Sequence, residues 1–491
     1  MQPITGGRAW NSQFFAQDDY KISPKLTLNL GLRWEIQSGW SEVHNRLGNF
    51  DPTIINPATG TLGALWFAGQ NGHNALESTK PHILSPRLGF AWVPRSGWSV
   101  RGAYGIFPMM WGGNTYYDGY APGFAIEGSE TSTDSIHPIF SLAQGPPVAF
   151  YPSAAARTPD IANGQGVDYM PYNDTPPAYL GEWHLGVQHQ LAGGVMIDAA
   201  YVGSRGVHLG FGRDINQVPS ALLGPGNAQL ERPYPQYASI SANLFDGYSA
   251  YHSFQLSGKK QFAAGLTFTA NYTYSKSTDT GTGSGWGGIQ SIDTWQIAYN
   301  VRANYALSKT DLPQLLNGAI VYELPVGVGK TFLNRGGIAN AVLGGWELST
   351  MFQFHSGLPF TPMMGTANLS GSLAGTWLPD RLGNGTLANP SINEWFDPTA
   401  FAQPAPYTFG NSGRDILRGP GWSNVLLGLA KSFKIRWIGE AGRLQIRGEA
   451  YDVLNHANFG MPNPDIGTPG AGVVSYANTN RIVQLGAKLS F

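Results

Sequence analysis

The stretch that decides the fold is the last one, Asn480-Arg-Ile-Val-Gln-Leu-Gly-Ala-Lys-Leu-Ser-Phe491. Val483, Leu485, Ala487, Leu489 and Phe491 fall on one parity, and Gln484, Gly486, Lys488 and Ser490 on the other. A period of two with one apolar side is the pattern of a β-strand that has one greasy face and one wet face. A frayed tail has no reason to alternate so strictly, or to stop on an aromatic ring.

The same alternation recurs along the whole chain. Strand pairs are predicted over 10–22 and 25–36, 87–93 and 98–107, 179–191 and 195–204, 251–262 and 266–276, 314–324 and 346–356, and 423–435 and 443–454. With 480–491 these make thirteen. In the eighth, Leu266, Phe268, Ala270, Tyr272 and Tyr274 alternate with Thr267, Thr269, Asn271, Thr273 and Ser275.

The connections are of two kinds. Short turns such as Ser23-Pro24, Ala192-Gly-Gly194 and Gly439-Glu-Ala-Gly442 follow the odd strands, while the spans 37–86, 108–178, 205–250, 277–313, 357–422 and 455–480 follow the even ones. One end of the array therefore carries turns and the other carries loops, the arrangement of outer-membrane barrels with short periplasmic turns and longer extracellular loops.

Composition agrees with this. Charged residues make up 12% of the 491 residues, about half of the ~25% usual in soluble domains. Aromatics also reach 12%, and the 65 glycines and 34 prolines disfavour long helices. No window approaches the ~18 consecutive apolar residues of a membrane-spanning helix. A net charge of −1 gives no basic surface for a nucleic acid. Zero cysteine removes disulfides, thiolate metal sites and a cysteine nucleophile, and leaves the compartment open. The expected fold is all-β, a transmembrane antiparallel β-barrel, rather than a large soluble sandwich. Strands of ten or more residues carrying Trp34, Tyr272, Tyr274 and Phe352 near their ends suit the aromatic girdles of a bilayer.

Nothing nominates an enzyme, a cofactor or a metal. Leu324-Pro-Val-Gly-Val-Gly-Lys-Thr331 imitates a phosphate-binding loop, but its first glycine position holds Leu324 and Asn334-Arg-Gly-Gly337 is a poor start for the required helix. A basic turn below the barrel is the simpler reading. The ten histidines, Trp183-His184 and His355 among them, show no metal-ligand spacing and read as sheet packing or loop contact. Asp18-Asp19 reads as a polar interface feature rather than an acid/base dyad. Trp111-Gly-Gly-Asn-Thr-Tyr-Tyr117 and Gly283-Ser-Gly-Trp-Gly-Gly288 suit capture of sugars, peptides or aromatic chelates, although mutual packing of the loops comes first. The ligand-binding residues stay unassigned.

The ordered set Phe14-Phe-Ala-Gln-Asp-Asp-Tyr20, Leu28-Asn-Leu-Gly-Leu-Arg-Trp34, Leu84-Ser-Pro-Arg-Leu-Gly-Phe90, Ala200-Tyr-Val-Gly-Ser-Arg205, Tyr272-Thr-Tyr-Ser-Lys276, Tyr322-Glu-Leu-Pro325 and Tyr451-Asp-Val-Leu-Asn455 resembles the C-terminal barrel of TonB-dependent outer-membrane receptors, specifically the Oar-like group. The resemblance runs over essentially the whole chain, 1–491. It implies a ligand-gated importer in the outer membrane of a Gram-negative type of cell, with outer-membrane lipid and the barrel-insertion machinery as partners. The TonB complex joins them where an N-terminal region carrying its box is present. Barrels of that family have ~22 strands around a plug, so the thirteen here imply an absent signal peptide, TonB box, plug and about nine strands. What remains is then a gene fragment, an incomplete reading frame or a piece of a longer product. The resemblance also implies that Val483, Leu485, Leu489 and Phe491 form a C-terminal assembly signal. Two other classes stay open, a passive porin or structural barrel and a soluble β-rich enzyme or carbohydrate-binding protein.

Overall fold

The computed structural model describes residues 6–70, 72–109, 141, 143, 157–263, 265–281, 290–291, 296–435, 437, 439, 442–478 and 480–491. Thirteen long strands follow one another in a single antiparallel path. They are β1 (Asn11–Ser23), β2 (Leu26–Gln37), β3 (Lys80–Trp92), β4 (Trp98–Pro108), β5 (Tyr179–Gln190), β6 (Val195–Asp214) and β7 (Ser239–Ala263). After these come β8 (Leu266–Asp279), β9 (Gln314–Glu323), β10 (Trp346–His355), β11 (Trp422–Lys434), β12 (Arg443–Tyr451) and β13 (Ile482–Ser490). Three short loop strands join the same sheet. Among the described residues β1 and β13 are its two ends and do not pair with each other.

The register explains why each strand alternates. Directly opposed residues share a face, and Leu30 opposes Leu88, Leu88 opposes Tyr104, and Tyr104 opposes Trp183. Further along, Tyr201, Phe254 and Tyr274 make one cross-strand row, Tyr272, Leu316 and Phe354 another, and Leu444 opposes Leu489. Among the described residues this apolar face has no protein partner: Leu88 is 51% exposed, Phe254 46% and Leu485 82%. A continuous bare apolar surface of this breadth needs an apolar neighbour. The opposite face is polar. There Asn29 Nδ2 donates to Asp19 Oδ1 at 2.6 Å, Ser257 Oγ to Asn271 Oδ1 at 2.8 Å, and Asn271 Nδ2 to Asn317 Oδ1 at 3.1 Å.

Three strands outrun their sequence-predicted limits. β3 begins at Lys80 rather than 87, β6 runs on to Asp214, and β7 begins at Ser239 rather than 251. β6 and β7 have 20 and 25 residues, where roughly 9–11 suffice to cross a bilayer. The alternation breaks at a bulge around His208, whose φ is +55°, with register slips at Val207/Leu209 and Leu209/Phe211. Beyond it Phe211, Ala242 and Phe245 are buried, so the extended hairpin has left the apolar face and entered a folded cap. Tyr274 and Tyr272 accordingly lie inside their strand rather than at its end.

The cap holds the hydrophobic core. Trp40, Trp66, Leu76, Met170 and Phe245 form one cluster, and Phe50, Leu65, Phe67, Val167, Tyr237 and Ile240 a second. Phe360, Trp377, Phe396, Phe401, Leu417 and Ile466 form a third. Loops far apart in sequence are sewn together by buried amides: Gln217 Nε2 donates to Gln296 O at 2.7 Å, and Gln296 Nε2 to Gly410 O at 2.8 Å.

Candidate functional site

The sheet leaves a concavity of about 610 Å³ spanning β1 to β7, a volume suited to a small organic ligand. Its lining includes Gly31, Gly89, Ala103 and Gly105. These minimal side chains stand on the polar face, where larger residues would fill the hollow. Arg87 lies among them, opposed by Gly31 on one side and Gly105 on the other, with its guanidinium 5.0 Å from the centre of the Phe107 ring. Glu182, His184, Ser204 and Tyr251 complete the polar lining. A cation, a carboxylate, an imidazole and a phenol thus line a hollow floored by glycines, groups able to offer charge and hydrogen bonds to an occupant.

The placement of these groups follows from parity. His184 opposes Ala103 and Val202 and faces the concavity, whereas Trp183 opposes Tyr104 and Gly203 on the apolar face. Sequence reasoning assigned both to the strand without separating their faces. The signal was present in the alternation of Glu182, His184 and Gln188 against Trp183, Leu185 and Val187. Asp18 and Asp19 are split in the same way: Asp18 opposes Leu30 on the apolar face and Asp19 opposes Asn29 on the polar one, so they cannot share a proton.

The two rims of the apolar face are marked by aromatic and histidine pairs. On the loop side Tyr201 Oη meets His252 Nδ1 at 2.7 Å, with Trp183 beside them. On the turn side Trp98 stacks on His189 with 4.0 Å between centroids, and Arg95 lies over Trp98. The phosphate-loop imitation resolves into such a turn. Lys330 Nζ is paired with Glu323 Oε2 at 2.7 Å, and the helix that follows starts only at Ile338. His355 stacks on Trp422 and is held to Ser356 O at 2.8 Å.

Above the sheet, the rings of Tyr169, Tyr234 and Tyr237 stand edge-on around Phe50. Burial pushes the phenols of Tyr169 and Tyr237 up to about 12, which keeps both neutral. Asp168, next in the chain, has its pKa pushed up to about 6 by burial, against a hydrogen bond from Ser241. The aromatic loop clusters 111–117 and 283–288 lie outside the described residues, while the described loops use their aromatics for packing.

Residues 2–484 match the model of the outer membrane beta barrel domain family. The chain belongs to that family. The apolar face of the barrel sheet is accordingly the surface that meets outer-membrane lipid, and the aromatic rims lie where lipid gives way to water.

Solved structures similar to this barrel chain include the ferric-catecholate import receptor Fiu from Escherichia coli K12, with TM-score 0.43 and 10% identity over 99% of this chain and 45% of that one. They also include the siderophore receptor PiuA from Acinetobacter baumannii, with TM-score 0.44 and 11% identity over 98% of this chain and 43% of that one. The FrpB iron transporter from Neisseria meningitidis gives TM-score 0.42 and 11% identity over 99% and 46%. The chain spans less than half the length of each of these three. No curated protein sequence matches it.

Proposed function

We propose that this chain is the C-terminal barrel portion of a TonB-dependent receptor of the Oar-like group, which takes up a scarce nutrient through the outer membrane. The observation that carries the reading is the two-faced sheet. A continuous lipid-facing surface backs a polar face whose concavity gathers Arg87, Glu182 and His184 beneath a folded cap of loops. In this reading the cap meets the nutrient, the polar face guides it, and a plug supplied from outside residues 1–491 gates the passage. The unpaired edges of β1 and β13 support the same reading, because exposed sheet edges do not persist in lipid. Strands contributed from outside the chain would close the cylinder. The TonB complex would drive the plug, and the insertion machinery would read Val483, Leu485, Leu489 and Phe491 at the end of β13.

The test is uptake by cells expressing the complete reading frame that contains this chain, with and without a functional TonB complex. Radiolabelled ferric chelates, peptides and oligosaccharides serve as candidate cargo. Accumulation that collapses without TonB supports the receptor. Accumulation unchanged by its loss identifies a passive porin instead, and recovery of the protein in the aqueous fraction without detergent overturns both.

A further inference from the structure

We propose that the connection between β9 and β10, residues 324–345, is a membrane-surface anchor lying in the phospholipid leaflet on the turn side of the barrel. The proposal rests on the reading that the apolar face of the sheet meets lipid. It extends the lipid contact to a segment outside the strands.

This connection is the longest on the turn side, and it is oily where a turn facing water has no cause to be. Val328 and Phe332 are each 60% exposed, Ile338 is 83%, and Val342 and Leu343 are more than half exposed. The one helical segment within it, Ile338–Leu343, sorts its residues by side. Ile338 and Val342, four apart, share a face and are bare. Asn340 lies on the opposite side, where its Oδ1 accepts the Val328 N–H at 2.9 Å and ties the loop to the helix.

Two contacts fix which side of the sheet the helix occupies. Trp346 Nε1 donates to Val342 O at 2.9 Å, and Lys431 Nζ donates to Val342 O at 3.3 Å and to Gly344 O. Trp346 and Lys431 oppose one another on β10 and β11, in the row that Ile446 continues on the lipid-facing side. The Lys431 ammonium lies 5.2 Å from the Trp346 ring centre and 5.1 Å from that of Phe433. The helix end is therefore clamped from the lipid-facing surface rather than from the polar one. The anchor continues that surface at the depth where a tryptophan and a lysine mark the bilayer edge. In the neighbouring turn Trp437, 87% exposed, adds to the same oily rim. A short amphipathic segment with bare Ile, Val, Leu and Phe beside the exposed Arg335 fits phospholipid, whose acyl chains and phosphates it matches in turn.

The absence of cysteine from the 491 residues makes the test direct. The product of the complete reading frame that contains this chain, with any cysteine outside residues 1–491 replaced by serine, is prepared as I338C and, separately, V342C, labelled with a small fluorophore, and placed in vesicles of phosphatidylethanolamine and phosphatidylglycerol. L316C reports the lipid-facing face and A192C the exposed turn between β5 and β6. The expected result is that labels at 338 and 342 are quenched several-fold more by lipid-attached nitroxide than the label at 192, and are shielded from aqueous iodide. Iodide quenching equal to that at 192 overturns the anchor. Shielding from both quenchers overturns it too, and points to a protein partner or a second copy over the segment. A label at 316 that lipid nitroxide fails to quench removes the membrane reading itself, and the anchor with it.

Discussion

Arg414 and Asp279 stand 135 residues apart in the chain, yet Arg414 Nη2 sits 2.5 Å from Asp279 Oδ1 and 2.8 Å from Asp279 O. The same guanidinium reaches Asp415 Oδ2 at 2.9 Å and Asn304 O at 3.2 Å, and Thr361 Oγ1 donates to Asp415 Oδ1 at 3.0 Å. One buried arginine thus joins the loop-side end of β8 to two long loops. The cap is bound to the barrel through it.

Replacing Arg414 by Met leaves the buried carboxylates of Asp279 and Asp415 without the guanidinium that bridges them. Breaking a buried pair from one side costs roughly 3–5 kcal/mol, and here the loss falls on the cap. We expect R414M to reach the membrane with its sheet intact while the loops become several-fold more sensitive to added protease. Loop proteolysis identical to the parent chain would show that the cap stands without this joint.

Asp168 gives the cap a pH dependence of definite sign. Its pKa is pushed up from 3.8 to about 6, so between those values the folded cap keeps a proton that the unfolded chain has released. Stability therefore falls as pH rises from about 4 to about 6 and is level above that, by up to about 3 kcal/mol across the window. Protection factors of the 166–169 amides, corrected for the intrinsic pH dependence of exchange, should be larger at pH 4.5 than at pH 7. D168N should abolish that difference, and protection that grows with rising pH would refute the assignment.

The faces of β8 and β9 predict opposite outcomes for one substitution. Leu316, opposite Tyr272 and Phe354, faces lipid, whereas Thr273 points to the polar side. An arginine on the lipid face costs roughly 2–4 kcal/mol at the bilayer midplane and less towards the interfaces, whereas an arginine on the lumenal face stays in water. L316R should lower outer-membrane levels and T273R leave them near normal, read by immunoblot of the membrane fraction. Equal losses would mean that the faces are reversed or that neither meets lipid.

At the chain end, Phe491 is 88% exposed one residue beyond β13, on the parity of Val483, Leu485 and Leu489. Its ring contributes little packing, so deleting it costs the folded sheet little. If the insertion machinery reads this residue, the deletion should still reduce membrane levels of the complete receptor several-fold. A deletion mutant that assembles normally would confine the role of Phe491 to lipid contact.

All thirteen strands were legible in the sequence because a sheet with one face in lipid and one in water must alternate, and alternation is a local property. The cap was less legible. Phe50, Tyr237 and Ile240 meet only through chain reversals that no short window encodes, and the extended part of β6 and β7 loses the alternation once both its faces are covered. The concavity was hidden for a related reason. Arg87 lies on β3 and Glu182 and His184 on β5, with β4 and a long loop between them in the chain, and only the register shows that their polar parities coincide.

That coincidence yields the prediction closest to function. Arg87 has Gly31 and Gly105 as its cross-strand neighbours, so no side chain beside it in the register competes for its guanidinium. Its ring contact with Phe107 holds it in place. If the concavity takes part in passage, R87Q should lower uptake of an anionic cargo at least several-fold. Membrane levels and the resistance of the cap to protease should stay those of the parent. H184A, which removes a group from the same lining without disturbing the glycine floor, should lower uptake to a smaller extent. Normal uptake by both variants would move the path to another part of the polar face, and reduced membrane levels of R87Q would make Arg87 a structural residue of the sheet instead.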